Sequence, residues 1–448
     1  MAEGNNPKPA LDISTTLDHM PFTLYQRLIV FFAALAVILD GFDSQLIGYA
    51  APALMREWGL TKNEFMPSVV AGVFGSSVGA ITGIFADYFG RKRALIGYML
   101  TFGLFTSLVA TQNSILGIAI FRFIAGIGIG GALPIATTIA AEFTPQRYRT
   151  MVVTATIVCV PLGGVVAGFF AEVIMPDFGW RMMFLIGGAM PIALMIFCIV
   201  ATPETPKYLV GHPERWPELR RILKKMGQMV DDDTTFTDTG EQEPTKRAGY
   251  GAIFRDNMAR DTSALWCAFF FCLASVYAAF SWLPTMLASV DISQDVARSG
   301  LTVYNFGGVI GALVCSWFIT KFGSYSPLIL CSAGGALSAL AVEFFDMSSH
   351  LLLLILLLGL HGFFVNAVQS TMYALCAYIY PTKIRATGTS GALMFGRVGA
   401  IAAAFGGAPI ITYSGSLGYF GLLAFSMFIV TIALLVLQRH IPPAKTAS

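Results

Sequence analysis

The chain has 448 residues, 56% of them hydrophobic and only 12% charged, with a formal net charge of +2. Soluble domains carry about 25% charged residues, so this composition excludes a water-soluble enzyme and places most of the chain in a lipid bilayer. The near-neutral balance leaves no basic surplus that would suit nucleic acid.

At about 20 residues per span, the apolar runs predict an all-α polytopic membrane protein of twelve helices. They fall near 27–54, 65–87, 94–111, 114–142, 150–175, 180–201, 262–290, 297–320, 326–347, 350–380, 386–413 and 416–438. Residues 1–26 contain Glu3, Asp12 and Asp18, lack the apolar core of a signal peptide, and are expected as a cytoplasmic tail. The polar stretch 202–261 divides the spans six and six and is expected as a cytoplasmic loop between halves at 27–201 and 262–438; residues 439–448 form a second tail. Lys and Arg set the orientation. With both termini inside, only Arg56, Lys62, Arg181 and Arg298 fall on outer loops, whereas Arg91, Lys92, Arg93, Arg147, Arg149, Lys383 and Arg385 lie inside. The seven cysteines sit in apolar segments without metal-like spacing, the five histidines are scattered, and H-E-x-x-H is absent. No metal or organic cofactor is expected.

The first span carries the most telling residues, Asp40 and Asp43, on either side of Gly41-Phe42. A charge near the bilayer centre costs about 2.5–3.5 kcal/mol even on lenient insertion scales. Two in one helix require a function or a basic partner. At a spacing of three they share a helix face, and like charges that close hinder each other's ionisation, the setting for a proton site. The competing reading is a pair of acids neutralised by a basic partner for packing alone. The glycines at 126, 128, 130 and 131 follow no strand and read as close helix packing, not a nucleotide loop.

The halves echo each other. Thr144-Pro145-Gln146-Arg147-Tyr148-Arg149 after the fourth span matches Tyr380-Pro381-Thr382-Lys383-Ile384-Arg385 after the tenth. Asp87-Tyr88-Phe89-Gly90-Arg91 corresponds more weakly to Thr320-Lys321-Phe322-Gly323-Ser324. Such duplication fits a transporter whose site lies between pseudo-symmetric halves near the midplane.

These segments also carry a resemblance. Gly83 to Arg93, and Arg122 followed by Gly126, Gly128, Gly130 and Pro134, resemble signatures of the major facilitator superfamily. The Asp40-Gly41-Phe42-Asp43 motif, with Tyr380 to Gly388 leading to Gly396-Arg397-Val398-Gly399, is similar to the aromatic acid:proton symporter family. The resemblance implies a major facilitator fold in the bacterial inner membrane, a monomer, and import of a small aromatic carboxylate with protons.

Candidate roles follow. Asp40 and Asp43 are the expected proton carriers, with His361 as a possible relay or merely a satisfied interior donor. Arginine stays charged and offers a planar fork that suits a carboxylate, so Arg397, and secondarily Arg122, are candidate anchors or partners of the acids. Tyr277, Phe280, Trp282, Tyr304, Phe364 and Tyr373 are candidate walls for an aromatic ring. Asn305, Asn366 and Gln369 are candidates to hydrogen-bond a ring hydroxyl or the carboxylate; Asn366 and Gln369, three apart on one helix face, have bonding to neighbouring helices as their alternative role. Asp87, Arg91, Glu142, Arg149, Lys383 and Arg385 are expected to pair at the cytoplasmic helix ends and form a gate. The alternatives are a sugar or other solute porter, suggested by Pro203 to Leu209, and a non-transporting sensor of aromatic acids.

Overall fold

The computed structural model describes residues 10–83, 85–238, 253–254 and 258–443; the side chains at 85, 87, 150, 377, 382, 383, 385 and 386 lie outside that description. The first half holds α1 (Ile13–His19), α2 (Leu24–Trp58), α3 (Lys62–Thr82), α4 (Phe85–Phe89), α5 (Arg91–Val109), α6 (Ile115–Glu142) and α7 (Gln146–Ala201). Two short helices follow, α8 (Pro206–Val210) and α9 (Trp216–Lys225). The second half holds α10 (Ala259–Ala288), α11 (Gln294–Phe322), α12 (Tyr325–Ala341), α13 (Leu351–Ile379) and α14 (Thr382–Val436).

Helix ends follow local chemistry. Thr23 and Gln26 form a reciprocal capping box that starts α2 earlier than its apolar run, and Thr61 with Glu64 does the same for α3. Gly59, in the left-handed region, closes α2. The 56 residues of α7 and the 55 of α14 are each two spans. Each reverses at a glycine of positive φ, Gly179 (73°) and Gly415 (58°), where a side chain would be strained. Nine described helices are long and apolar enough to cross a membrane. Dividing α7 and α14 at these hinges and adding α5 gives the twelve spans expected, in two sets of six. Leu352, Phe169, Phe197, Val200 and Phe425 point outward and exposed, a surface that suits lipid and not water.

Glycine sets helix spacing within the first half. A Cβ at Gly126 would meet the α3 backbone at Gly72 and Ser76, and one at Gly130 would strike the Ser76 carbonyl. The glycine run of α6 is therefore a packing face, as its sequence implied. Between halves, α2 lies against α10, α3 against α14 and α7 against α11.

Part of the segment expected as a tail folds. Leu11–Asp12 pairs in parallel with Phe236–Thr237, the one strand pair among the described residues. The α1 residues Ile13 and Leu17, with Met20, pack with Leu219, Ile222 and Leu223 of α9. The apolar spacing of four and three residues gives α1 one sticky face, and α9 offers the complementary one. This small cap lies at the face where the described residues begin and end.

Candidate functional site

Asp40 and Asp43 are both buried but have different partners. Asp43 is fully enclosed in the first half. Its Oδ1 accepts from Thr106 Oγ1 of α5 at 2.6 Å. Arg122 Nη1 of α6 lies 3.2 Å from its Oδ2 and 3.3 Å from its backbone carbonyl. Gly72 makes room for this guanidinium, since a Cβ there would sit 3.1 Å from Nη2. The carboxylate is thus saturated by charge-assisted bonds from two neighbouring helices.

Asp40 faces the other way along the seam. It has no hydrogen bond or ion pair among the described residues, and its Oδ1 is buried without a partner. It lies in electrostatic reach of Arg397 of α14. The two acids, expected to lean to one internal surface, thus have different partners. Three residues of α-helix turn the side chains about 60° apart, enough to send one between α5 and α6 and the other to the interface.

Arg397 sits mid-helix yet remains part-exposed. Its Nη1 donates to Tyr277 Oη at 2.9 Å and, across the halves, to Ser76 Oγ at 3.1 Å. Its Nε and Nη2 have no hydrogen-bond partner among the described residues. Gly72 and Ser76, one turn apart on α3, thus touch the two membrane arginines in turn.

The remaining candidates scatter around this centre. Tyr373, part-buried, lies in electrostatic contact with Arg397 and Tyr277 and edge-on to Phe269. Tyr277, Phe280, Tyr304 and His361 form a chain of rings with centroids 5.9, 6.2 and 5.8 Å apart. His361 Nδ1 contacts the Gly335 carbonyl at 3.0 Å and Ser338 Oγ at 3.1 Å. Phe364 packs toward Gly334 of α12, and the structure does not bring it to Arg397. Trp282 is fully buried, donates to the Ala404 carbonyl at 3.2 Å and meets Phe65 edge-on across the halves.

Asn305 is spent on the opposite half. Its amide exchanges two hydrogen bonds with Gln45, at 2.7 and 3.1 Å, and both side chains are fully buried. Tyr49 Oη to Thr302 Oγ1 (3.4 Å), Ser299 Oγ to Glu172 (2.9 Å) and Arg56 to Gln294 (3.2 Å) continue this seam to the face opposite the termini. These contacts hold the two halves together at the far face.

Three of the gate candidates, Arg91, Glu142 and Arg149, have partners in the first half. Arg91 Nε lies 3.6 Å from Glu142, while Arg149 bonds Asp18 of α1 at 2.5 Å and the Ala141 carbonyl. The side chains of Asp87, Lys383 and Arg385 lie outside the described residues. Gln45, Ser76 and Thr106 are site residues that the sequence reading missed. Gln45 had a signal, an amide two residues beyond Asp43 in an apolar run; Ser76 and Thr106 looked like ordinary small packing residues.

The family model described as Major Facilitator Superfamily matches residues 33–297 and 265–448. The chain belongs to the Major Facilitator Superfamily. Within it, the chain is 35% identical to the 4-hydroxybenzoate transporter PcaK of Acinetobacter baylyi, over 90% of this chain and 89% of that one. It is 31% identical to a gallate transporter of Pseudomonas putida, over 98% of each. Among solved structures, a D-xylose-proton symporter superposes with a TM-score of 0.68 at 16% identity, covering 94% of this chain and 99% of that one. A bacterial Spinster homologue in an inward-facing, unoccupied conformation gives 0.60, also at 16%, covering 93% and 96%. These two likenesses concern the fold. As a major facilitator, the chain is a membrane transporter and not an enzyme.

Proposed function

We propose that this transporter imports a small aromatic carboxylate together with protons, with the terminal face in the cytoplasm of a bacterial inner membrane. The curated relatives are named for 4-hydroxybenzoate, gallate and benzoate, which supports the substrate class. The observation that carries the reading is the pair at the seam: Arg397, with Nε and Nη2 unspent, facing Asp40, whose Oδ1 has no donor. An unpaired buried carboxylate is costly unless it binds a proton, so Asp40 is the proton carrier and Asp43 the fixed counter-charge of Arg122. Protonating Asp40 removes the negative charge near Arg397, which then takes the incoming anion through its free edge. With both charges covered, the halves rock and the far seam closes behind the cargo. A neutral sugar would leave Arg397 unneutralised, which disfavours that alternative.

The test is Asp40→Asn in proteoliposomes. It is expected to keep counterflow of labelled 4-hydroxybenzoate while losing accumulation driven by a pH gradient. Wild-type accumulation by this variant would remove Asp40 from the proton path. A thermal-shift panel of benzoates against hexoses checks the substrate class independently.

A further inference from the structure

Arg397 is held at one nitrogen by two oxygens that belong to different halves. Tyr277 sits on α10, which packs along α14. Gly399 brings those helices together, since a Cβ there would strike the Phe270 carbonyl. Tyr277 therefore travels with the arginine when the halves move. Ser76 sits on α3 of the first half, and its place is fixed from behind by α6. A Cβ at Gly126 would come within 2.9 Å of the Ser76 amide nitrogen, and one at Gly130 would strike its carbonyl. The Ser76 hydroxyl, buried, is aimed as well: it donates to the Val73 carbonyl at 2.8 Å. A lone pair is left over, and it accepts from Arg397 Nη1 at 3.1 Å.

Asp40 belongs to the same half as Ser76 and lies in electrostatic reach of the same guanidinium. A carboxylate is the stronger acceptor for arginine, yet Arg397 bonds the hydroxyl while Asp40 Oδ1 stays without a donor. Arginine carries much rotamer freedom, and two fixed oxygens on Nη1 remove it before any cargo arrives. We infer that Ser76 is a positioning residue for cargo binding: it ties Arg397 across the halves, keeps the guanidinium off Asp40 and leaves the Nε–Nη2 edge open to a carboxylate. The inference rests on the roles proposed above for Asp40 and Arg397. Without the Ser76 hydroxyl the fork turns to Asp40, and the acid takes the edge that the cargo needs.

The test is a double-mutant cycle on the purified full-length protein, with the dissociation constant of 4-hydroxybenzoate as readout. Ser76→Ala is expected to weaken binding about tenfold, the share of one hydrogen bond to a charged group. In an Asp40→Asn background the fork has no charge to turn to, and the same substitution should cost about twofold or less. A merely structural defect in α3 would cost the same in both backgrounds. An equal or larger loss beside Asn at position 40 therefore overturns the inference, as does no loss in either background. Two single variants separate this failure from failure of the proposed function. Intact binding in Arg397→Gln removes the anchor, and lost binding in Asp40→Asn removes the acid from its assigned role; either result takes this inference with it.

Discussion

The two carboxylates of α2 stand three residues apart at similar depth, yet they live in different regions of the molecule. Asp43 belongs to the interior of one half, held by Thr106 and Arg122 on helices of that same half. Asp40 belongs to the seam, with an unbonded oxygen and Arg397 of the other half as its electrostatic neighbour. Each acid is matched to an arginine, but only the second match spans parts that must move relative to each other. On the proposed reading, depth in the membrane does not by itself make a proton site; incomplete bonds and a counter-charge that the cargo would share do.

The contrast can be broken from its rigid side. Arg122→Leu strands the Asp43 charge in a closed interior, a change that costs about 3–5 kcal/mol. The detergent-solubilised variant should show a clearly lowered Tm, and Asp43→Asn with Arg122→Gln together should recover part of it. Arg397→Gln should hold Tm close to wild type while losing carboxylate binding. Equal melting of Arg122→Leu and Arg397→Gln would erase the distinction between the two regions.

The seam itself offers a test of intermediate effect. Gln45→Cys with Asn305→Cys places two thiols where the amides now exchange bonds across the halves. Oxidation should lock the far face shut and stop uptake, and reduction should restore it. Uptake that continues in the cross-linked protein would show that this seam does not open during transport. The smallest effect belongs to the terminal cap, where Arg149 and Asp18 are partly solvated. Exposed pairs contribute about 0–1 kcal/mol, so Asp18→Asn should shift Tm only slightly and leave uptake near wild type. A large loss of uptake would instead make the α1 cap part of the transport cycle.

Much of the architecture was legible because bilayer physics acts on short segments. The division of 150–201 and 386–438 into paired spans was readable from the apolar runs, and the turns at Gly179 and Gly415 fall in the gaps between the expected spans. The glycine face of α6 was readable too, since small residues at that spacing serve close packing. The site was less so. Asn305 looked like a ligand group and is instead half of an amide pair to Gln45. Trp282 looked like a ring wall and is instead buried against Phe65. A polar or aromatic side chain in a span has several possible partners, and sequence spacing along one helix does not choose among helices.

From the order of residues alone came twelve spans in two related sets and the buried acids and arginines, because hydropathy, small-residue spacing and the expense of intramembrane charge are local properties. Which acid meets which arginine and which amides seal the far seam were decided only by the packing of the two halves. Such contacts join residues far apart in the chain, 321 positions for Ser76 and Arg397, and they depend on helix rotation, which a difference of three residues can reverse.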